Sequence, residues 1–444
     1  MTMSEQHPQV ETIFAPATAP GRAGIAIVRV SGPAAGEALA ALSCRRPPAR
    51  RAVRARFADR ATGEAIDDGI ALFCPGPASV TGEDVAELHL HGSRAVIDAV
   101  LGVLARLPGF RLAEPGEFTR RAFENGKMDL TAAEAVADLV AAETAAQRRQ
   151  ALRQLEGVLG QLYDDWRRRL IRVLAHREAE IDFADEDLPA GIAEAAAGEV
   201  RALIAEIAAH LADARRGEIL RDGVSIAILG PPNVGKSSLL NALARRDVAI
   251  TSAIAGTTRD VVEVRLDLGG YPVILADTAG LREARDAIEA EGIRRARARA
   301  ANADLRLIVL DAGDPLAAAG LGEGGAGASL VVANKIDLAH PALPDQAIAV
   351  SARTGEGIAA LLERLTRLVK ERFEMGPAPS LTRVRHRTAL EECIAALRRS
   401  LEASLPELAA EDLRLATRAL GRITGRVEVE DLLDVIFRDF CIGK

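Results

Sequence analysis

Residues 230 to 237 read Gly-Pro-Pro-Asn-Val-Gly-Lys-Ser, a complete G-x-x-x-x-G-K-S run lying between the short apolar stretch 225–229 and the helix-forming stretch 238–243. No other feature constrains the fold so tightly. A strand that turns directly into a helix aims backbone N–H groups and the positive helix end at one point, which suits phosphate oxygens. Gly230 and Gly235 permit the tight wrap, Lys236 reaches the β- and γ-phosphates, and the Ser237 hydroxyl is placed for Mg²⁺. Alone, such a run also fits an ATPase or a chance match.

Later motifs narrow the nucleotide. Asp277-Thr278-Ala279-Gly280 follows the apolar residues 273–275, so a carboxylate ends a buried strand at the depth of Mg²⁺ and the γ-phosphate. Asn334-Lys335-Ile336-Asp337 follows 330–332, and an aspartate there accepts from guanine N1–H and the exocyclic amine together, a donor pair that adenine lacks. Ser351-Ala352-Arg353 supplies a second base-side turn, and Gly256-Thr257-Thr258-Arg259-Asp260 reads as a mobile switch that brings a threonine hydroxyl to Mg²⁺. The reading is therefore GTP. Its contacts are Asn233, Val234, Gly235, Lys236, Ser237 and Ser238 in the loop, Ser252, Ala253, Ile254, Ala255, Gly256, Thr257 and Thr258 in the switch, Asp277, Thr278, Ala279 and Gly280, and on the base side Asn334, Lys335, Asp337, Ser351, Ala352 and Arg353.

The Ras pattern places a water-orienting glutamine after Asp-Thr-Ala-Gly, and here that residue is Leu281, so another group must do that work. An arginine finger is worth roughly 10³ to 10⁵ in rate, and no single arginine stands out as one in so arginine-rich a chain. Asn233 offers an alternative cation, because its side-chain oxygen can serve a monovalent ion beside the phosphates. Potassium would stand where a guanidinium otherwise does.

At 444 residues the chain suggests about three domains. With 49% hydrophobic and 27% charged residues it is globular, and no apolar run approaches the ~18 residues of a membrane span. Residues 1–7 lack a signal pattern, so the expected location is the cytoplasm. Cys44, Cys74, Cys393 and Cys441 are widely separated, with neither metal spacing nor a dense disulfide framework, which agrees with a reducing compartment. His89 and His91 alternate along a strand, but two histidines without a third ligand are more often packed or surface residues. A net charge of -7 argues against general nucleic-acid affinity and leaves room only for a local basic patch. Among 56 basic residues, only Lys127, Lys236, Lys335, Lys370 and Lys444 are lysines. A retained lysine in such a chain suggests a need for a compact ammonium. Lys236 and Lys335 have nucleotide roles and Lys370 is ordinary in a polar helix; Lys127 and Lys444 are candidates for a role, or else incidental surface residues.

Apolar runs at 224–229, 272–276, 305–310, 330–333 and 347–350 alternate with helical stretches, a doubly wound α/β pattern. Residues 261–268 and 271–274 meet across Gly269-Gly270 as an antiparallel hairpin. The Gly- and Ala-rich stretch 313–329 reads as an exposed connection. Leu152, Leu155, Leu159, Leu162, Trp166, Leu170 and Val173 recur at spacings of three and four, which predicts one helix with one apolar stripe. Segments 386–404, 407–420 and 428–440 also read as helical, yet about 65 residues barely make an independent core. One helical domain built from both pieces, with the G domain inserted, is the economical solution; two separate bundles, or a stripe used only for self-association, remain alternatives. The expected fold class is multidomain α+β and α/β. Its parts are an N-terminal α+β domain at 1–125, helical segments at 126–217 and 377–444, and a Ras-like P-loop G domain at 218–376.

The order of these parts, the N-terminal Pro-Gly-Arg-Ala-Gly-Ile-Ala-Ile-Val-Arg-Val-Ser-Gly at 20–32, Thr-Gly-Glu-Asp-Val-Ala-Glu-Leu at 81–88, Pro-Gly-Glu-Phe-Thr-Arg-Arg-Ala-Phe at 115–123 and the terminal Phe-Cys-Ile-Gly-Lys at 440–444 resemble the tRNA-modification GTPases of the MnmE (TrmE) family, essentially end to end. The terminal Cys-Ile-Gly-Lys is the most specific part of the resemblance. It implies a homodimer whose N-terminal domain binds a 5-formyl- or methylene-tetrahydrofolate, and a G domain that hydrolyses GTP when two such domains meet around potassium. It further implies an FAD-binding MnmG-type partner, in a heterotetramer, for modification of C5 of the wobble uridine (position 34) in certain tRNAs. By the same resemblance Arg29, Glu87, Lys127 and Lys444 are folate contacts, Ser237 and Thr258 hold Mg²⁺, and Asn233, Ser252, Ile254 and Thr257 hold K⁺. Ser252 departs from the family's usual threonine. Glu289 lies at the family's water-orienting glutamate, with a solvated acidic residue as the alternative, and Cys441 matches a conspicuous family cysteine.

Two other readings stay open at this point. A cytosolic ribosome-assembly or other regulatory G protein would bind RNA through its flanks, although no G-x-x-G loop follows the G domain. A nucleotide-gated scaffold would bind GTP without useful hydrolysis.

Overall fold

The computed structural model describes residues 11–182, 192–212, 215–246, 248–250, 263–277, 303–314, 328–338, 347–373, 380–427, 430–438 and 440–443. Its architecture is multidomain, mixing helices with two sheets. The chain forms two compact units, one of residues 1–137, 160–167 and 420–444, the other of 138–159 and 168–419.

In the first unit, strands Thr12–Pro16 (β1), Ala23–Ser31 (β2), Val53–Ala58 (β3), Ala65–Cys74 (β4), Val85–Gly92 (β5) and Phe110–Leu112 (β6) form one sheet in the order β3-β4-β5-β2-β1-β6. Pairing is antiparallel except between β1 and β6. Alternation along β2 sends Ala26, Val28 and Val30 into the core beside Leu88 and Leu90 of β5. Helices Ala35–Ala41 and Arg94–Leu104 close that face, the second capped by the Ser93 hydroxyl accepting from Val96 N–H. The opposite face is only partly covered among the described residues, with Ile25 63% and Ile70 43% exposed.

The C-terminal segment is built into the same unit. Leu433, Phe437 and Phe440 pack with Leu130 and Ala133, and Ile442 bridges to Pro115. Gly116 (φ +70°) donates its N–H to the Cys441 carbonyl at 3.4 Å, and a Cβ there would collide with Phe437 and Phe440.

In the second unit, Val224–Leu229 (β7), Glu263–Leu268 (β8), Tyr271–Asp277 (β9), Leu305–Asp311 (β10), Ala328–Asn334 (β11) and Ile348–Ala349 (β12) are ordered β12-β11-β10-β7-β9-β8. Only β8 runs antiparallel, joined to β9 through Gly269-Gly270 as its sequence predicts. Such a sheet gathers its strand ends, and so a ligand site, along one edge. Helix Ile358–Phe373 buries Ile358, Leu361, Leu365, Val369 and Phe373 against it, a stripe of period 3.6. Helix Ile192–Leu211 packs along helix Val384–Glu402, bringing together segments that flank the sheet in sequence.

The single striped helix expected across 152–173 is two helices. Ala145–Leu155 ends before Gly157 (φ +83°), and Val158–Asp182 starts afresh. A left-handed glycine stops the backbone whatever the side-chain spacing. The register changes with it: Leu152 is 39% exposed, and Gln154 and Ala151 are buried in its place, while Leu159, Trp166, Leu170 and Val173 keep the buried stripe.

The four cysteines are unpaired, and burial pushes the Cys393 thiol up to about 12, so it stays protonated. Burial, with the charges of His386 and Arg387, lowers the His210 pKa to about 4. The unfolded chain then binds a proton near 6.5 that the folded chain refuses until about 4. Stability is fully present above 6.5 and falls by up to roughly 3 kcal/mol as pH drops through that window. Chemical denaturation between pH 7 and 4 should show this slope, and His210→Gln should flatten it.

Candidate nucleotide-binding site

The loop between β7 and helix Lys236–Ala244 is shaped by two glycines without room for a side chain. A Cβ on Gly230 would meet the Val309 carbonyl, and one on Gly235 (φ +92°) would meet the Asn334 amide. Asn233 stands exposed at φ +65°, and Ser237 and Ser238 are exposed at the start of the helix. Val234 is buried. Lys236 is 7% exposed and folds its ammonium back on its own loop, donating to the Gly230 carbonyl at 2.9 Å and the Pro231 carbonyl at 2.7 Å. An arriving phosphate offers this cation anionic oxygens in place of two neutral carbonyls.

On the base side, the structure assigns Asn334 a different task from its neighbours. It is 2% exposed, donates to the Val234 carbonyl at 2.9 Å and accepts from Ala352 N–H at 3.0 Å. Its amide therefore braces the phosphate loop against the Ser351-Ala352-Arg353 turn. Asp337 presents a carboxylate on the same side. Ser351 Oγ donates to Oδ1 at 2.7 Å and Arg353 lies 2.6 Å from Oδ2, holding its carboxyl below the usual range and ionised. Thr354 N–H in turn donates to Ser351 Oγ at 3.1 Å and fixes the hydroxyl.

One participant escaped the sequence reading. Lys335, at φ +69°, is paired with Asp311 at 2.7 Å, and Asp311 also accepts from Gly313 N–H at 2.9 Å. The ammonium holds the Asp311 carboxyl low. Asp311 ends the apolar run of β10 as Asp277 ends that of β9, so the same signal was present. Asp277 is registered beside Ile228, two residues before Gly230. Its side chain, Ser252 through Thr258, Thr278, Ala279, Gly280, Leu281 and Glu289 lie outside the described residues.

In the first unit, Arg29 and Glu87 are direct cross-strand partners on β2 and β5, with Arg29 Nε 3.0 Å from Glu87 Oε1. His89 Nε2 lies 3.4 Å from Glu87 Oε2, and the Arg29 guanidinium sits 5.7 Å from the centre of the Phe118 ring. Lys127 donates instead to the Pro77 carbonyl at 2.9 Å. Lys444 is outside the described residues, but Gly443 before it packs on the backbone of Pro16 and Ala17 at the end of β1.

Two family models match the chain. The family model for the GTP-binding protein TrmE N-terminus matches residues 12–127, and the MnmE helical domain model matches 130–441. The chain belongs to the MnmE family. It is 60% identical to the "tRNA modification GTPase MnmE" of Parvibaculum lavamentivorans over 98% of this chain and 100% of that one. The protein of the same name from Rhodospirillum rubrum is 59% identical with the same coverage. A solved structure of Era from Aquifex aeolicus, crystallised with GDP and aluminium fluoride, aligns at 25% identity over 41% of this chain and 69% of its own, with a TM-score of only 0.27.

Gly235→Ala tests the crowding that this MnmE-family loop shows. Nucleotide affinity, measured by fluorescent GDP titration, should fall at least about tenfold, since the added methyl must displace the Asn334 brace and the residue must hold a positive φ.

Proposed function

We propose that this MnmE-family protein, a GTP hydrolase of tRNA modification, uses a bound potassium ion in place of an arginine finger. In this reading it works as a homodimer with an MnmG-type FAD-binding partner on C5 of the wobble uridine, drawing a one-carbon unit from a tetrahydrofolate. The observation that carries the nucleotide chemistry is the combination of Asp337, held ionised with Ser351 on one carboxylate oxygen and the exposed Arg353 on the other, with a phosphate loop on which Asn233 is exposed. Guanine recognition follows from the first, because a carboxylate accepts both N1–H and the exocyclic amine. Cation choice follows from the second.

Asn233 would contribute to K⁺ together with Ser252, Ile254 and Thr257, and Ser237 with Thr258 would hold Mg²⁺. The two ions would supply positive charge where negative charge builds during phosphoryl transfer. Lys236 binds and orients the terminal phosphates once released from its loop carbonyls. Glu289 is assigned to orient the attacking water, the task Leu281 has no polar group to perform.

Arg29 and Glu87 suit a reduced folate in chemical terms. A guanidinium and a carboxylate side by side offer donors and acceptors to a pterin-like ring, and the partly exposed apolar face around Ile25 and Ile70 offers a surface for a second copy. Lys127 and Lys444 would add ammonium groups for the ligand's carboxylates, the tail reaching this unit through Ile442 and Gly443. The division into 1–125, 126–217, 218–376 and 377–444 and a cytoplasmic location complete the reading. No described helix is long and apolar enough to cross a membrane.

GTP turnover should rise strongly when sodium is replaced by potassium, and Asn233→Ala should lose that response while still binding nucleotide. Equal rates in the two salts would sink the potassium assignment. Lys127→Ala should weaken binding of a reduced folate about tenfold by calorimetry, as expected for a charge-assisted contact, with potassium-stimulated turnover near wild type. Mass spectrometry of wobble nucleosides from a deletion strain tests the tRNA chemistry itself.

A further inference from the structure

Seven arginines fall within the sixteen residues that lead into, form and leave the edge strand of the first unit's sheet: Arg45, Arg46, Arg50, Arg51, Arg54, Arg56 and Arg60. An even spread of the 56 basic residues over 444 positions would put about two there. Asp59 is the only acidic residue in the stretch. All seven arginines are exposed.

The fold carries Arg50, Arg54, Arg56 and Arg60 along that edge. β3 is the edge strand, with Arg54 and Arg56 pointing away from the buried Ala55 and Phe57. Arg50 N–H donates to the Phe73 carbonyl at 2.8 Å, so the chain already runs beside β4 before β3 begins. Past the other end, Arg60 N–H donates to the Ala41 carbonyl at 3.0 Å. Six residues of extended chain span about 20 Å, and Arg50 and Arg60 continue the edge at its two ends.

Neighbouring carboxylates neutralise it only in part. Asp59 is engaged by Arg106 at 2.8 Å, Asp67 by His91 at 2.8 Å, Asp68 by Arg54 at 2.6 Å and Asp84 by Arg46 at 3.7 Å. Among the described residues, Arg45, Arg51 and Arg60 form no ion pair, and Arg56, opposite Asp68 in the register, helps hold that carboxyl low without pairing with it directly. Charges on an edge strand also guard against edge-to-edge pairing, but that purpose needs only Arg54 and Arg56. Arg45, Arg51 and Arg60 lie outside β3 and add nothing to it.

We propose that this edge docks the sugar–phosphate backbone of tRNA. The inference rests on the tRNA reading above and assigns it a surface. A protein of net charge -7 repels a polyanion over most of its surface, so a strip of only partly compensated guanidiniums decides where the nucleic acid lands. Contacts of this kind position a substrate without reading its bases, leaving base recognition to the modification site.

The test is the full-length protein carrying Arg45→Gln, Arg51→Gln, Arg56→Gln and Arg60→Gln together, titrated with a tRNA transcript in increasing NaCl without nucleotide. Affinity should fall about tenfold or more, and the slope of log K against log salt should shrink by about 3, near 0.7 to 0.9 for each of four lost phosphate contacts. Lysine at the same four positions should restore most of both, while thermal unfolding and GTP turnover stay at wild-type values. The single variant Arg51→Glu gives a milder check should the quadruple variant fold poorly. Unchanged affinity and slope in variants that bind GTP normally would overturn the docking surface and leave the function standing. A change confined to self-association would overturn it too, assigning the strip to a second copy of the chain. Absence of tRNA binding by the wild-type protein would bring down the function and the surface together.

Discussion

The nucleotide site hangs on the side-chain amide of Asn334. It ends β11, beside β10 and close to the loop that follows β7, and spends its oxygen and nitrogen on two backbone groups from different parts of the chain. A buried amide left unpaired costs about 1–3 kcal/mol for each lost partner, so the phosphate loop and the base-side turn are held in register by the same residue. Gly235 is glycine because the amide occupies the space where a Cβ would stand. Lys335 turns left-handed immediately after the brace, which carries its ammonium to Asp311 and sets Asp337 beside Ser351.

The N-terminal unit divides its labour by face. Two helices seal one side of the sheet around Val28, Val30, Leu88 and Leu90. The other side keeps polar chemistry, with Arg29 and Glu87 paired across adjacent strands and His89 next to the carboxylate. Antiparallel register makes this possible, because residues directly opposite on β2 and β5 must project to the same side. The final residues reach that unit through the buried Phe437 and Phe440 and through the backbone of Ile442, whose side chain is 58% exposed.

Much of this was legible in the residues. The strands at 224–229, 271–277 and 305–311, the Gly269-Gly270 hairpin and the α/β order follow from apolar runs bounded by turn formers. The helix break at Gly157 was not, because spacing of three and four continues through a stop that depends on one backbone dihedral. The brace that Asn334 makes to Val234 and Ala352 was not legible beside its reading as a base contact, since the motif names the residue and not the direction of its side chain. Asp311 was passed over although it ends a buried strand as Asp277 does; its partner, Lys335, is 24 residues away.

What the sequence by itself determined is the chemistry: phosphate binding, guanine selection and membership of a family whose N-terminal and C-terminal signatures lie hundreds of residues apart. These depend on residue types at short, local spacings, which a linear chain displays openly. Only the tertiary structure decided which groups cooperate. Whether Arg54 and Arg56 face solvent along a sheet edge, whether Asn334 spans two loops, and whether Ile442 returns to Pro115 are set by strand order and packing. Those are contacts between distant segments, chosen by the burial of a shared core, and no local spacing encodes them.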